Sequence, residues 1–268
     1  MAADAAARGA GLANRPRTAL VTGAASGIGR ETARRLAADG MAVALADIDA
    51  VRLVEAVRDL ESEGHRVIGV ALDVASVDSC GEAVHAAADW TGRLDVLVNA
   101  AGVWVEGPTD SMTEADWDRV VDINLKGTFF MCRYAIPALE ATAGCIVNVS
   151  SDAGLWGNKG AAIYCASKGG VTVLTKSLAV ELAARGIRVN AVCPGDVDTP
   201  MIRYQAETFG GDDPDAYLRT LLEAYQQRPA RFIWPDEVAS LIHYLTTPAA
   251  APITGAALSI DFGLTAGY

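Results

Sequence analysis

The chain has 268 residues, 51% hydrophobic and 21% charged, a balance that allows a large buried core and excludes a disordered polymer. A formal net charge of -11 gives no electrostatic reason to approach nucleic acid or an anionic membrane surface, so neither is expected as a partner. The five cysteines form an odd set with no CxxC pair and no ligand-spaced histidine, which reads as small core residues of a cytoplasmic protein without a metal site.

Residues 1–16 are rich in Ala and carry Arg8 and Arg15 but lack the apolar run of a secretory signal, and are expected to be a flexible tail. No window stays apolar for the roughly 20 residues needed to span a bilayer, so the protein is expected to be soluble. From residue 17 to 268 a single domain is expected. Runs rich in β-branched residues predict strands at 18–22, 42–47, 66–72, 94–99, 145–150, 187–193 and 257–261. Between them, apolar residues at three- and four-residue spacing predict helices at 28–39, 50–63, 76–90, 114–141, 163–185 and 235–246. Most of the strands are apolar on both faces, which predicts an α/β fold: a doubly wound, Rossmann-type parallel sheet of about seven strands with helices on both sides. Residues 196–233 depart from the alternation, with two short helical pieces separated by "GGDDP", and are expected to form a lid over a site.

The first strand runs into "TGAASGIGR", Thr22 to Arg30, and then into a helix. Gly23, Gly27 and Gly29 let the backbone turn tightly, approach a phosphate and pack the helix against the sheet, as a dinucleotide site requires. The spacing is GxxxGxG rather than GxGxxG, and an ordinary capped turn is the competing reading. The second strand ends at Asp47, eighteen positions after Gly29, where a carboxylate would accept hydrogen bonds from ribose hydroxyls and repel a 2′-phosphate. Ser26 and Ile48 offer no cation to such a phosphate. NAD is therefore favoured over NADP, against the reading of Asp47 as a turn or cap residue. Further on, Tyr164 and Lys168 of "YCASK" lie one helical turn apart and project from one face.

Together these motifs resemble the short-chain dehydrogenase/reductase family in its compact single-domain form, over about residues 17–263. The stretch "TGAASGIG", with Ile28 between its last two glycines, is similar to the family's cofactor turn. "LDV" resembles its adenine contact through Asp73 and Val74, and "NAAG", from Asn99 and Ala100 to Gly102, its fourth-strand motif. Asn124, Ser151, Tyr164 and Lys168 match the catalytic tetrad; Ser151 matches rather than Ser150 because it lies thirteen positions before the tyrosine. Pro194 and Gly195, followed by Val197 and Thr199, match the nicotinamide loop. Two departures stand out. "DFG", Asp261 to Gly263, replaces the usual Asp-Gly-Gly and puts Phe262 near the C-terminal wall, and Asp196 is an unusual polar neighbour for a nicotinamide.

The resemblance implies an enzyme that moves a hydride between a secondary alcohol and NAD, with Tyr164 as acid/base. A tyrosine at its reference pKa of about 10 is a poor base at neutral pH. The Lys168 ammonium and a positively charged nicotinamide are expected to lower it, a 3-unit shift corresponding to roughly 4 kcal/mol. The resemblance also assigns Lys168 to the nicotinamide ribose, Ser151 to the substrate oxygen and Asn124 to a water linking Lys168 to solvent, and implies a homotetramer built through 114–141 and 163–185. Trp104, Trp156, Met201 and Tyr204, with Asp196 as a polar contact, are expected to wall a pocket for a compact cyclic or hydroxylated alcohol. The competing readings are a non-catalytic NAD-binding sensor or scaffold, and a carrier-protein-linked ketoacyl reductase, against which Asp47 and the acidic balance count.

Overall fold

The computed structural model describes residues 15–225 and 227–266; most of the expected tail, residues 1–14, lies outside the described residues. Seven strands form one sheet: β1 (Thr18–Thr22), β2 (Ala42–Asp47), β3 (Val67–Ala71), β4 (Val96–Asn99), β5 (Cys145–Val149), β6 (Arg188–Pro194) and β7 (Ala257–Ile260). Their order is β3-β2-β1-β4-β5-β6-β7 and every neighbouring pair is parallel. The helices are α1 (Gly27–Ala38), α2 (Ala50–Ser62), α3 (Val77–Thr91), α4 (Glu114–Val121), α5 (Thr128–Thr142), α6 (Ala162–Leu182), α7 (Pro200–Phe209), α8 (Pro214–Glu223) and α9 (Pro235–Thr246). None of the helices among the described residues is long and apolar enough to cross a membrane.

Side chains alternate across a strand, and here the alternation feeds two cores. Val21, Val43, Leu45 and Val98 pack with Leu36 of α1, Leu53 of α2 and Ile242 of α9 on one face. Leu20, Ala44, Leu97 and Ile146 pack with Met131 of α5 and Leu182 of α6 on the other. This is why the inner strands read as continuous apolar runs. Edge strand β3 has a partner on one side only and leaves Gly69 and Ala71 exposed.

The predicted elements are found with shifted ends, and one is not continuous. The helix expected over 114–141 is interrupted by a π-helical turn at Asp122–Gly127, between α4 and α5. A π turn inserts one residue into the helical ladder, and its cause here is tertiary: the Asn124 side chain turns inward to bond a neighbouring loop and helix. The second helical piece of the 196–233 segment ends at Glu223. The two ends of that segment meet in a bridge between Val197 and Ile233, closed by hydrogen bonds of 2.9 Å from the Asp198 amide to the Ile233 carbonyl and from the Ile233 amide to the Asp196 carbonyl.

The two ends of the sheet differ in character. Where the strands begin, the buried Asp95 carboxylate accepts hydrogen bonds from the Thr18 amide at 2.8 Å and from Arg93 at 2.5 and 2.8 Å. Where they end, β1 lies between β2 and β4, the connections diverge to opposite sides, and a crevice opens at this switch point. The site is built in that crevice.

Candidate active site

A cleft of about 270 Å³ runs over the ends of β1, β2 and β4. Gly23, Ser26, Gly27, Ile28 and Gly29 line one side of it. Gly23 has φ +66°, a left-handed conformation that β-carbons disfavour, and a β-carbon on Gly29 would sit far inside contact with the Gly23 carbonyl. The turn is thus held tight by the absence of side chains. Asp47 lies at the far end, its two oxygens accepting the backbone amides of Ala25 and Asp49, each at 2.9 Å. Asp73 and Val74, and then Ala100, Gly102, Thr199 and Met201, complete the lining. No Lys or Arg is among the described residues that line this cleft. Asn99 is not in the lining: it is buried, and its side-chain Nδ2 donates at 2.8 Å to Oδ1 of Asn148, tying β4 to β5.

The cleft continues into a smaller cavity of about 110 Å³ that brings together Ser151, Tyr164 and Lys168 with Pro194, Gly195 and Val197. Asn124 lies alongside. Its Oδ1 accepts the Val103 amide at 2.8 Å, and its Nδ2 donates to the Val103 carbonyl at 3.0 Å and to the Ser167 hydroxyl at 3.1 Å. That side chain ties the loop after β4 to α6. Tyr164 and Lys168, on the first turns of α6, are 7% and 5% exposed. The Lys168 ammonium donates to the Val149 carbonyl at 2.9 Å.

Burial acts on both members of the pair. Burial pushes the Tyr164 phenol above its ordinary range; a hydrogen bond with Ser151 offsets part of this, and the nearby Asp152 and Asp196 add to it. Burial lowers the Lys168 ammonium to about 8. Burial thus works against charge on both groups, while a Lys168 at about 8 stays mostly protonated at neutral pH.

Beyond Tyr164 a third cavity of about 380 Å³ opens beneath α7 and α8. The expected wall residues Trp104, Trp156 and Asp196 line it, while Met201 faces the cleft and the smaller cavity. Tyr204 is placed elsewhere, 41% exposed and edge-on to Phe209; the next residue, Gln205, takes the buried face of α7. Sequence reasoning passed over Glu106, Asp152, Gln205, Tyr217 and Tyr225. Glu106 Oε2 accepts from the Trp104 indole at 2.8 Å and from the Tyr217 hydroxyl at 2.7 Å. Asp152, one residue after Ser151, accepts that hydroxyl at 2.6 Å and is held above the usual carboxylate range by burial. Tyr225 donates to the Asp196 carboxylate at 3.1 Å, and burial, with Asp152 nearby, pushes Asp196 up to about 6. Phe262, with φ +49°, packs edge-on against Tyr225 and beneath Arg231.

A glycine-lined crevice at the switch point, opening beside a buried tyrosine and lysine one helical turn apart, defines a nucleotide-binding α/β enzyme. The family model for short chain dehydrogenases matches residues 17–209. The chain is 39% identical over 246 residues to the 3-oxoacyl-(acyl-carrier-protein) reductase of Thermotoga maritima, covering 91% of this chain and 96% of that protein. It is 42% identical over 252 residues to the cis-4-hydroxycyclohexanecarboxylate dehydrogenase of Sinomonas cyclohexanicum, covering 93% and 97%. A solved variant of the actinorhodin polyketide ketoreductase with NADPH superposes with a TM-score of 0.87 at 38% identity, covering 93% of this chain and 97% of that one. The chain belongs to the short-chain dehydrogenase/reductase family. It is an oxidoreductase whose fold carries a pyridine-nucleotide site.

Proposed function

We propose that the protein is an NAD-dependent dehydrogenase interconverting a compact cyclic or hydroxylated secondary alcohol and its ketone. Asp47 carries the cofactor reading, because it stands in the cleft with no cation among the described lining residues to offset a 2′-phosphate. The cleft fits a dinucleotide: its turn is too tight for a side chain at Gly23 or Gly29, which leaves backbone amides to face a pyrophosphate. Gly23, Ser26, Gly27, Ile28 and Gly29 would hold the pyrophosphate, Asp47 the adenosine ribose, and Asp73 with Val74 the adenine. Ala100, Gly102, Pro194, Gly195, Val197 and Thr199 would hold the nicotinamide end, with Asn99 supporting them from below. When bound, the nicotinamide supplies or accepts the hydride and its oxidised form brings a positive charge.

In this reading the chain's own groups handle the proton. Tyr164 gives it to or takes it from the substrate oxygen, Ser151 donates a hydrogen bond to that oxygen, Lys168 positions the ribose and Asn124 fixes the wall of the site. Burial raises the Tyr164 pKa, and the positive charge of an oxidised nicotinamide would lower it beside the Lys168 ammonium. The Sinomonas relative, named for a hydroxylated ring substrate, supports a ring-sized alcohol. The Thermotoga relative supports carrier-linked ketoacyl reduction, and Asp47 and the net charge of -11 count against that. We also infer assembly into a homotetramer through α4, α5 and α6, where Trp117, Phe129, Val173 and Val180 are exposed; light scattering of the purified protein tests it. Steady-state kinetics with NAD and NADP against cyclic alcohols test the main reading. A preference for NADP, or absence of turnover across the panel, would overturn it.

A further inference from the structure

We propose that the cavity beneath α7 and α8 selects an uncharged polyol, such as a cyclitol, whose hydroxyls beyond the reacting carbinol bind Glu106, Asp196 and Gln205. This rests on the alcohol-dehydrogenase reading above and names its substrate class. At about 380 Å³ the cavity is at the small end of ligand pockets, suited to a single ring.

The cavity side chains have hydrogen-bonding capacity left over. Glu106 uses Oε2 for Trp104 and Tyr217, and its Oε1 has no partner among the described residues. Asp196 uses Oδ2 for Tyr225, and its Oδ1 likewise has none. These are acceptors in want of donors. Gln205 is 7% exposed and lines both this cavity and the smaller one holding Tyr164. Its carbonyl makes a long 3.5 Å contact with the Tyr217 hydroxyl, and its amide nitrogen has no partner among the described residues. It is a donor presented to the open cavity, where a ligand acceptor can take it.

One ligand group serves both. A hydroxyl donates to a carboxylate and accepts from an amide, so adjacent hydroxyls can satisfy all three side chains at once. A substrate carboxylate would meet Glu106, Asp152 and Asp196 with like charge and no proton to give; Lys159, exposed, is the only cation in the described lining. An ammonium would suit the carboxylates but leave the Gln205 amide unpaired, and an alkyl ring would leave all of them unpaired. A site built to bond a substrate hydroxyl rejects analogues that lack it far more strongly than an apolar pocket does.

The test uses one ring with different substituents. Calorimetry on the NADH-loaded protein is run with cyclohexanol, 1,2,3-cyclohexanetriol, myo-inositol, 2-aminocyclohexanol and 4-hydroxycyclohexanecarboxylate. The better of the two polyols should bind at least about tenfold more tightly than each of the other three. Gln205→Leu and Glu106→Gln should each shrink that preference at least about fivefold. Equal or tighter binding of the hydroxy acid, the amino alcohol or cyclohexanol, or a preference unmoved by both variants, would overturn the proposal. Turnover of the same compounds with NAD reports on the reaction separately: polyol binding without turnover refutes the dehydrogenase reading alone, and turnover with the hydroxy acid preferred refutes this one alone.

Discussion

The ring of Trp104 lies against that of Tyr164, with centroids 4.3 Å apart and planes inclined by 54°, so the proposed acid/base group is packed on a residue of the substrate cavity. Glu106 anchors the indole and also takes the hydroxyl of Tyr217 on α8, so the 196–233 segment reaches the phenol through three contacts. Trp104→Ala should lower kcat at least about tenfold through misplacement of Tyr164, with the NADH dissociation constant changed less than about twofold. Stopped-flow turnover and fluorescence titration measure the two. An unchanged kcat would mean that the stacking is packing only.

Tyr164→Phe removes the proposed proton carrier with little change in shape. A fall in kcat of at least about 100-fold is expected, with NADH binding intact. Near-full turnover by this variant would remove Tyr164 from the mechanism.

Lys168 is a buried ammonium whose folded pKa, about 8, lies below its unfolded value, so the folded state is penalised below pH 8. Lys168→Met lifts that penalty but leaves the Val149 carbonyl without its partner. The net expectation is a gain of about 2 kcal/mol at pH 7, alongside loss of activity. Between pH 8 and about 10 the unfolded wild type binds the extra proton, wild-type stability rises, and the variant's advantage shrinks. Urea denaturation across that range gives the sign; a variant less stable than wild type at pH 7 contradicts it.

Asp47 has two duties, towards the ribose and towards the Ala25 and Asp49 amides. Asp47→Ala should reduce kcat/KM for NAD by about 1.5 to 3 kcal/mol, raise it for NADP, and lower stability by about 1 to 2 kcal/mol as two amides lose their acceptor. Kinetics with both cofactors and thermal melts separate the effects. A cofactor ratio that stays fixed would reduce Asp47 to a turn residue.

Asp152 raises the pKa of both Tyr164 and Asp196 by its charge. Removing that charge in Asp152→Asn should move both downward, so the rising limb of the pH profile for alcohol oxidation shifts to lower pH, and an inflection from Asp196 falls below 6. A shift to higher pH would show that Asp152 acts otherwise than by charge.

What could be read from the sequence was whatever local chemistry determines. The strands that feed two cores, the glycine turn and the Tyr164–Lys168 pair follow from periodicity and spacing, and their positions differ from expectation by a residue or two. What escaped depends on partners far away in the chain. The π turn forms because Asn124 finds Val103 and Ser167, and nothing within 114–141 signals it. Glu106 and Tyr217 are 111 residues apart. The sequence suggests Tyr204 for the wall, but α7 sits on the cavity in the phase that buries Gln205. Asp152 alone had a signal within reach, its place directly after Ser151.

The bridge between Val197 and Ile233 means that the chain leaves the scaffold and returns to it at nearly the same point, with 198–232 as an excursion pinned at its base. Because that closure is made by backbone hydrogen bonds, the length and sequence of the excursion can change at an entropic cost that grows only slowly with length. Beyond Thr199, Pro200 and Met201, which line the nucleotide cleft, the segment is suited to act as an exchangeable cassette: swapping it would alter which molecules the enzyme accepts while the parallel sheet is inherited unchanged.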